Sequence, residues 1–213
     1  PDPKAAQAID HCQQSLALRE KVYGPESFEA SAAMLIMAGV YRHTNQFTRA
    51  MELYKDALAI QTHFVGPFHP DVRSATRGIG LLLRDQRKYV EADTYFRKAL
   101  ETSEVSLGPR HIRTTDYQIL IVTNLMSQDK LDEAEQVARS CVEIRNHPSP
   151  PDDDPSRRAQ GHYFLGEVLF RKGRYEEALT HYRIAHDLRE QGNGVAPEPV
   201  RIPTAVEPIV MAP

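Results

Sequence analysis

Three arginines have the clearest capacity for binding chemistry: Arg42, Arg77 and Arg84. Each guanidinium presents a planar fork of hydrogen-bond donors that matches a carboxylate. The two helical segments that carry them are neighbours in the chain, so we expect the three side chains to cluster. They form either a site for the carboxylates of a partner or a solvated face paired with Asp85 and Asp116, and the sequence leaves both interpretations open.

The residues that catalysis or metal binding would need lack a suitable arrangement. The acidic run Asp152, Asp153 and Asp154 lacks the spaced ligands and the glycine of a calcium loop, which favours a solvated linker between prolines. None of the nine histidines lies at HxH or HxxxH spacing. The sequence also shows no strand-turn-helix nucleophile elbow and no glycine-rich phosphate loop. We therefore predict a protein that is not an enzyme and that uses no metal and no cofactor.

The composition argues against several other classes of protein. Hydrophobic residues make up 41% and charged residues 26% of the 213 residues, as in soluble proteins with a buried core. The net charge is −3 and basic residues are interspersed with acidic ones, which disfavours nucleic acid as a partner. No apolar run approaches the ~18 residues of a membrane span. Cys12 and Cys141 lie in helical patterns without a CxxC motif, so we expect a reducing compartment, the cytoplasm.

A recurring alanine marks the elements that position these residues. Another small residue follows it seven positions later and an aromatic ring often follows four positions later, so that all three share one face of a helix. Small residues on that face let a neighbouring helix approach closely. The alanine recurs at intervals of 42 residues, and finally of 44 residues, at Ala8, Ala50, Ala92, Ala134 and Ala178.

An apolar helical segment precedes each of the last four copies, in residues 31–41, 74–83, 116–125 and 160–169. Gly-Pro pairs at 24–25, 66–67 and 108–109 separate the copies, because glycine ends a helix and proline cannot continue it. Two such helices cannot bury their apolar faces alone, whereas stacked copies supply the missing cover. The pattern predicts an all-α solenoid of antiparallel helix pairs.

The segment GRYEEALTHYRIA, from Gly173 to Ala185, resembles the consensus of the tetratricopeptide repeat. The 42-residue spacing, with GPFHPDV at Gly66–Val72 and KAL at Lys98–Leu100, is similar to the longer repeat of kinesin light chains. The resemblance implies a right-handed superhelix whose concave groove holds a partner peptide. The asparagine pair with which kinesin light chains contact cargo is missing, since the matching places hold Leu35-Ile36, Arg77-Gly78, Ile119-Leu120 and Tyr163-Phe164.

This organisation divides the chain into three parts. We expect residues 1–27 to contain the second helix of a truncated leading repeat and residues 28–191 to form four helix pairs. Residues 192–213 contain five prolines and no helical period, which predicts an extended or disordered tail. The tail is interpreted as an unstructured linker, a short linear motif for another domain, or a self-ligand that lies across the groove.

The first helix of each pair should line the concave groove. In that position the arginines would lie beside apolar pockets supplied by Leu35, Leu81, Ile119, Met126 and Tyr163. The predicted groove residues are Leu35, Arg42, His43, Arg77, Leu81, Arg84, Asp116, Ile119, Met126, Tyr163, Glu167, Phe170 and Arg171.

Three functions agree with this fold. The first is a scaffold or adaptor that binds a partner protein or peptide of acidic character in the groove, without nucleic acid or a membrane. The second is a regulatory or sensor region of a larger signalling or enzymatic protein, which a catalytic or nucleotide-binding domain before Pro1 would favour. The third is a kinesin-light-chain-like cargo adaptor. The sequence leaves the oligomeric state open.

Overall fold

The computed structural model describes residues 3–147 and 154–193, and all regular elements within these two ranges are α-helices. The expectation of an all-α fold is therefore confirmed for the described part of the chain. The helices, in chain order, are α1 (Pro3–Tyr23), α2 (Phe28–His43), α3 (Phe47–Val65), α4 (Pro70–Asp85), α5 (Tyr89–Leu107), α6 (Thr115–Ser127), α7 (Leu131–Asn146), α8 (Pro155–Arg171) and α9 (Tyr175–Asn193).

The helices pack in pairs, and the pairs stack in the order of the sequence. Within the pairs, α2 packs on α3, α4 on α5, α6 on α7 and α8 on α9, while α1 packs on α2. Each second helix also packs on the first helix of the following pair. The first helices α2 and α4 contact each other, as do α6 and α8, so the first helices share one face of the array. In solenoids of this kind that face is concave, and we call it the groove.

The turns repeat as regularly as the helices. Between pairs, a glycine with positive φ ends the second helix, at Gly24, Gly66 and Gly108. Within pairs, the turn from the first to the second helix also needs one left-handed residue. Asn45, Arg87 and Asp129 fill this position with φ values of 59°, 60° and 59°, and Gly173 fills it in the last pair.

The small residues of the pattern allow helices to approach each other around aromatic rings. Ala50 and Ala92 are fully buried, as is the ring of Phe96. The ring of Tyr54 lies against α4 so closely that a Cβ added to Gly78 would be 2.3 Å from its Cε1 atom. A side chain at position 78 would therefore force α3 and α4 apart, which explains the glycine there.

Two sequence expectations fall wholly or partly outside the described residues. These are the tail predicted at 192–213, of which residues 194–213 are not described while 192–193 end α9, and the first two residues of the acidic run, Asp152 and Asp153. The third, Asp154, caps α8 by accepting a hydrogen bond of 2.9 Å from the backbone N–H of Ser156. Within the described ranges, none of the helices is long and apolar enough to cross a membrane. These ranges also hold no cluster of three or more residues suited to a metal ion.

Candidate functional site

A cavity of about 740 Å³ opens on the groove between α4, α6 and α8, with α9 closing one side. Its floor includes the apolar side chains of Ile119 and Leu120. Its walls carry the guanidinium groups of Arg77, Arg157 and Arg189. Two carboxylates, those of Asp116 and Asp154, also line it, so the ionised lining has a net charge of +1. The cavity combines apolar area with a surplus of hydrogen-bond donors.

Asp116 is held in the wall of this cavity by two arginines. The side chain of Arg145 is fully buried and donates from Nη2 to Oδ1 of Asp116 at 2.9 Å. Arg157 donates to the other oxygen, Oδ2. Arg145 also donates to Thr115 Oγ1 at 2.6 Å and to Gln160 Oε1 at 3.1 Å, so its buried charge has several partners. The two arginines thus neutralise the carboxylate of Asp116, so this carboxylate does not draw cations into the cavity.

Two arginines of the cavity have no carboxylate partner among the described residues. Arg77 is exposed and lines the cavity together with Tyr117. The guanidinium of Arg189 lies 5.4 Å from the ring centroid of Tyr163 in a cation–π contact. Both guanidinium groups therefore keep donors available for an anionic ligand.

The predicted cluster of three arginines exists, and one of its members pairs with Asp85, as the interpretation of a solvated face expected. Burial lowers the pKa of Arg84, and the positive charges of Arg42 and Arg77 contribute to the shift, so the three groups are neighbours. Arg42 forms an ion pair with Asp85 at 2.5 Å. Arg84 donates to Thr123 Oγ1 at 3.4 Å. Arg77 is the member of the cluster that faces the cavity.

The apolar residues expected in the groove lie deeper than the sequence suggested. Leu81 and Met126 are buried in the main core, because α4 packs on α3 and α5 and α6 packs on α5 and α7. Ile119 is buried except where it forms the cavity floor. Leu35 is half-buried against the same core, and Tyr163 is half-buried and lies within reach of Arg189.

The remaining predicted residues make local contacts outside the cavity. Exposed His43 lies 3.0 Å from a guanidinium nitrogen of Arg42 through its Nε2 atom. Glu167 accepts a hydrogen bond from the hydroxyl of Tyr182 at 3.5 Å. Arg171 donates to the backbone carbonyl of Met126 at 3.2 Å.

Phe170 is 52% exposed and lies with Tyr175 at the end of the array, where the ring centroids are 5.3 Å apart. Both rings line a separate apolar cavity of about 300 Å³. The structure therefore does not bring Phe170 together with the arginines of the groove.

Sequence reasoning missed three residues of the site, Arg145, Arg157 and Arg189. Arg157 follows an irregular linker and Arg189 lies on a second helix, so neither occupies a position expected to face the groove. For Arg145 a signal was present. It occupies the same register position as Gln61 and Ser103, at intervals of 42 residues, and all three polar side chains are buried. A polar residue that recurs on a buried helix face indicates a position whose side chain needs hydrogen-bond partners inside the array.

Models of one family match most of the chain. Models described as tetratricopeptide repeat match residues 4–63 and 71–147, and another with the same description matches residues 159–191. These ranges include α1 to α7 almost entirely and most of α8 and α9. No curated protein matches the chain.

Solved structures of low sequence identity share the fold. BtubC (BKLC) from P. vanneervenii superposes with a TM-score of 0.78 at 20% identity, covering 97% of this chain and 81% of that chain. A putative kinesin light chain with TPR-like repeats from Podosopora anserina gives 0.73 at 16% identity, covering 88% of each chain. YrrB, a TPR protein with an unusual peptide-binding site, gives 0.56 at 19% identity, covering 86% of this chain and 80% of that chain.

Proposed function

Because the chain belongs to the tetratricopeptide-repeat family, we propose that it is a non-enzymatic interaction module that holds a peptide of a partner protein in the groove. The cavity on the groove carries this proposal, since Arg77 and Arg189 both line it without a carboxylate partner among the described residues. The peptide-binding site named for the similar structure of YrrB supports the same use of the fold. The two free cysteines agree with action in the cytoplasm.

The chemistry of the cavity favours a peptide with an acidic side chain. A carboxylate between Arg77 and Arg189 would accept charge-assisted hydrogen bonds, each worth up to about 1 kcal/mol because both guanidinium groups are exposed. Asp116 does not repel it strongly, because Arg145 and Arg157 already neutralise that carboxylate. The floor formed by Ile119 gives the methylene groups of a bound side chain an apolar surface.

The alternative function, a kinesin-light-chain-like cargo adaptor, has less structural support. The structural likeness to kinesin-light-chain repeats supports the fold but does not extend to the ligand. The register position that these proteins use for cargo holds Arg77, Ile119 and Tyr163 here. A ligand of this chain would meet a cation, an aliphatic side chain and a ring instead of a row of amides.

The test compares partner capture by the native chain and by a charge-reversed groove. The variant Arg77→Glu, Arg189→Glu should lose a defined set of proteins in affinity capture with mass spectrometry. Its control, Arg113→Glu, Arg183→Glu, changes the same charge at exposed positions outside the cavity lining and should keep that set. Circular dichroism should show equal helicity for both variants.

The captured proteins then provide the quantitative measurement. Peptides from them should bind the native chain in fluorescence anisotropy at least about tenfold more tightly than the groove variant, a difference of about 1.4 kcal/mol. Equal affinities for the two variants would mean that the groove arginines form only a solvated face.

A further inference from the structure

A second candidate interaction surface lies at the corner between α1 and α2, next to the end of α3. Two adjoining cavities of about 540 and 470 Å³ open there, and the side chain of Phe64 lines both. We call this surface the edge cleft and define it by Glu26, Glu29, Met34, Asp56 and Phe64. None of these residues belongs to the groove cavity, so the edge cleft is a separate site.

The apolar part of the edge cleft is more exposed than packing within its own repeat requires. Phe64 is 55% exposed, although its ring makes edge contacts with Phe28 at 6.4 Å and with His63 at 5.5 Å between centroids. Met34 and Ile60 provide the aliphatic wall of the larger cavity. An exposed ring beside an aliphatic recess is a surface that an apolar side chain of a partner can cover.

The charged part of the edge cleft is entirely acidic. Glu26, Glu29 and Asp56 line the two cavities, and neither Lys nor Arg lines them. All three residues are at least partly exposed, and in the described ranges none of these carboxylates forms an ion pair. Their negative charge therefore remains available to a cation that approaches the exposed ring.

Comparison with the next repeat shows that the carboxylates of Glu26 and Asp56 are not required by the fold. Glu26 corresponds to Phe68 in the next repeat, 42 residues later. Asp56 corresponds to Lys98, which carries the opposite charge on the equivalent turn of α5. Residues that build the solenoid recur in register, as the buried alanines do, and Glu29 also keeps an acidic counterpart in Asp71, whereas Glu26 and Asp56 lose their negative charge in the next repeat.

The exposed ring is equally specific to this repeat. Phe64 corresponds to Ser106, and both are the penultimate residue of their helix. A serine at that position is therefore compatible with the end of the second helix and with the glycine turn that follows it. Among the repeats that follow each other at exactly 42 residues, a single one combines the ring with the carboxylates.

We infer that the edge cleft binds a segment of a partner protein in which an apolar side chain lies next to lysine or arginine. The apolar side chain packs against Phe64 and Met34, while the cation pairs with Glu26 and Asp56. This partner has the opposite charge from the peptide proposed for the groove, so the inference does not depend on that proposal. The chain then contacts two segments at once, one on each surface.

Three fluorescein-labelled hexapeptides test the inference against the full chain by fluorescence anisotropy. The first has the core Lys-Leu-Phe-Lys, the second Glu-Leu-Phe-Glu and the third Lys-Ser-Gly-Lys. We expect the first to bind at least about tenfold more tightly than the other two, and its affinity to fall with added salt, which screens exposed charges. Absence of measurable binding of the first peptide at low salt would overturn the inference.

Two variants locate the binding, and both use residues that the next repeat already contains in register. Asp56→Lys and Phe64→Ser should each weaken binding of the first peptide at least about tenfold. The groove variant Arg77→Glu, Arg189→Glu should leave it unchanged, which separates failure of this site from failure of the groove. Unchanged affinity in Asp56→Lys and Phe64→Ser would overturn the inference. So would self-association of the native chain in sedimentation velocity that Phe64→Ser abolishes, because the occupant would then be a second copy.

Discussion

We predict that two histidines make the stability of α8 and α9 dependent on pH. Nδ1 of His162 lies 3.0 Å from Nδ1 of His181, and the stacked ring centroids are 5.2 Å apart. Nε2 of His162 lies 3.2 Å from Oδ1 of Asn146 on α7. Two imidazolium rings cannot share the Nδ1 contact, because both nitrogens would then be donors. The packing of α8 between α7 and α9 therefore depends on a neutral imidazole.

The size of the expected stability loss follows from the pKa shift of His162. Burial, together with the charges of His181 and Arg158, lowers the pKa of His162 from 6.5 to about 4. The unfolded chain binds a proton near pH 6.5 and the folded chain does not, so acid favours unfolding between these two values. The free energy of unfolding should fall by about 2 kcal/mol between pH 7.5 and pH 5, and by about 3 kcal/mol at pH 4.

Neighbouring charges modify this expectation without reversing it. Burial also lowers the pKa of His181, with Arg139 contributing in the same direction and Glu177 opposing it. The two rings thus titrate as a pair, and both shifts make acid destabilising. Because His162 lies on α8 and His181 on α9, the loss should appear first in these two helices.

The assay is urea unfolding of the full chain at pH 7.5 and pH 5, with His162→Gln and His147→Gln as the compared variants. His147 is exposed, so its replacement should leave the pH dependence as it is. His162→Gln should reduce the loss between the two pH values by about 2 kcal/mol. Hydrogen exchange should show the acid-induced opening in α8 and α9. An identical pH dependence in both variants would refute the reasoning.

Three further substitutions test the packing. Arg145→Met should lower the free energy of unfolding by about 3 kcal/mol, because the buried partners of the guanidinium lose their donor, and an unchanged urea midpoint would contradict this. Glu135→Gln should lower the free energy of unfolding by about 2 kcal/mol in the same assay. The reason is that hydrogen bonds from Lys172, Arg139 and Arg174 overcome burial and lower the pKa of this carboxyl to about 2. Exposed Glu133→Gln is the control, and an equal loss of unfolding free energy in the two variants would argue against the prediction. Arg87→Gly should raise the melting temperature, because relief of a φ of 60°, about 1–2 kcal/mol, exceeds the added backbone entropy of glycine, about 0.5–1 kcal/mol; a melting temperature equal to or below that of the native chain would contradict this.

The sequence predicted the solenoid well because its signals are local and recur. Ala50, Ala92, Ala134 and Ala178 are buried as expected, whereas Ala8 on α1 is half-buried, and the Gly-Pro pairs mark the corners between helix pairs. The site was less predictable, because it depends on which side chains meet across repeats. Asp116 was expected to face a partner or the arginines of α4, yet Arg145 and Arg157 bind it from α7 and α8. The irregular linker before α8 removes the register that would have indicated the second of these contacts.

Comparison of equivalent positions in the repeats also indicates which features of a peptide the groove would recognise. One register position on the four first helices holds Leu35, Arg77, Ile119 and Tyr163, whereas the buried alanine of the second helices does not change. The fold therefore constrains the interface between helices and leaves this position on the first helices free to vary. Under the proposed function, a bound peptide meets an aliphatic side chain at the end near α2, a cation at α4, and a ring beside Arg189 at α8. A peptide with an acidic residue flanked on both sides by apolar residues matches that order. This sequence requirement defines the ligand more narrowly than a negative net charge does.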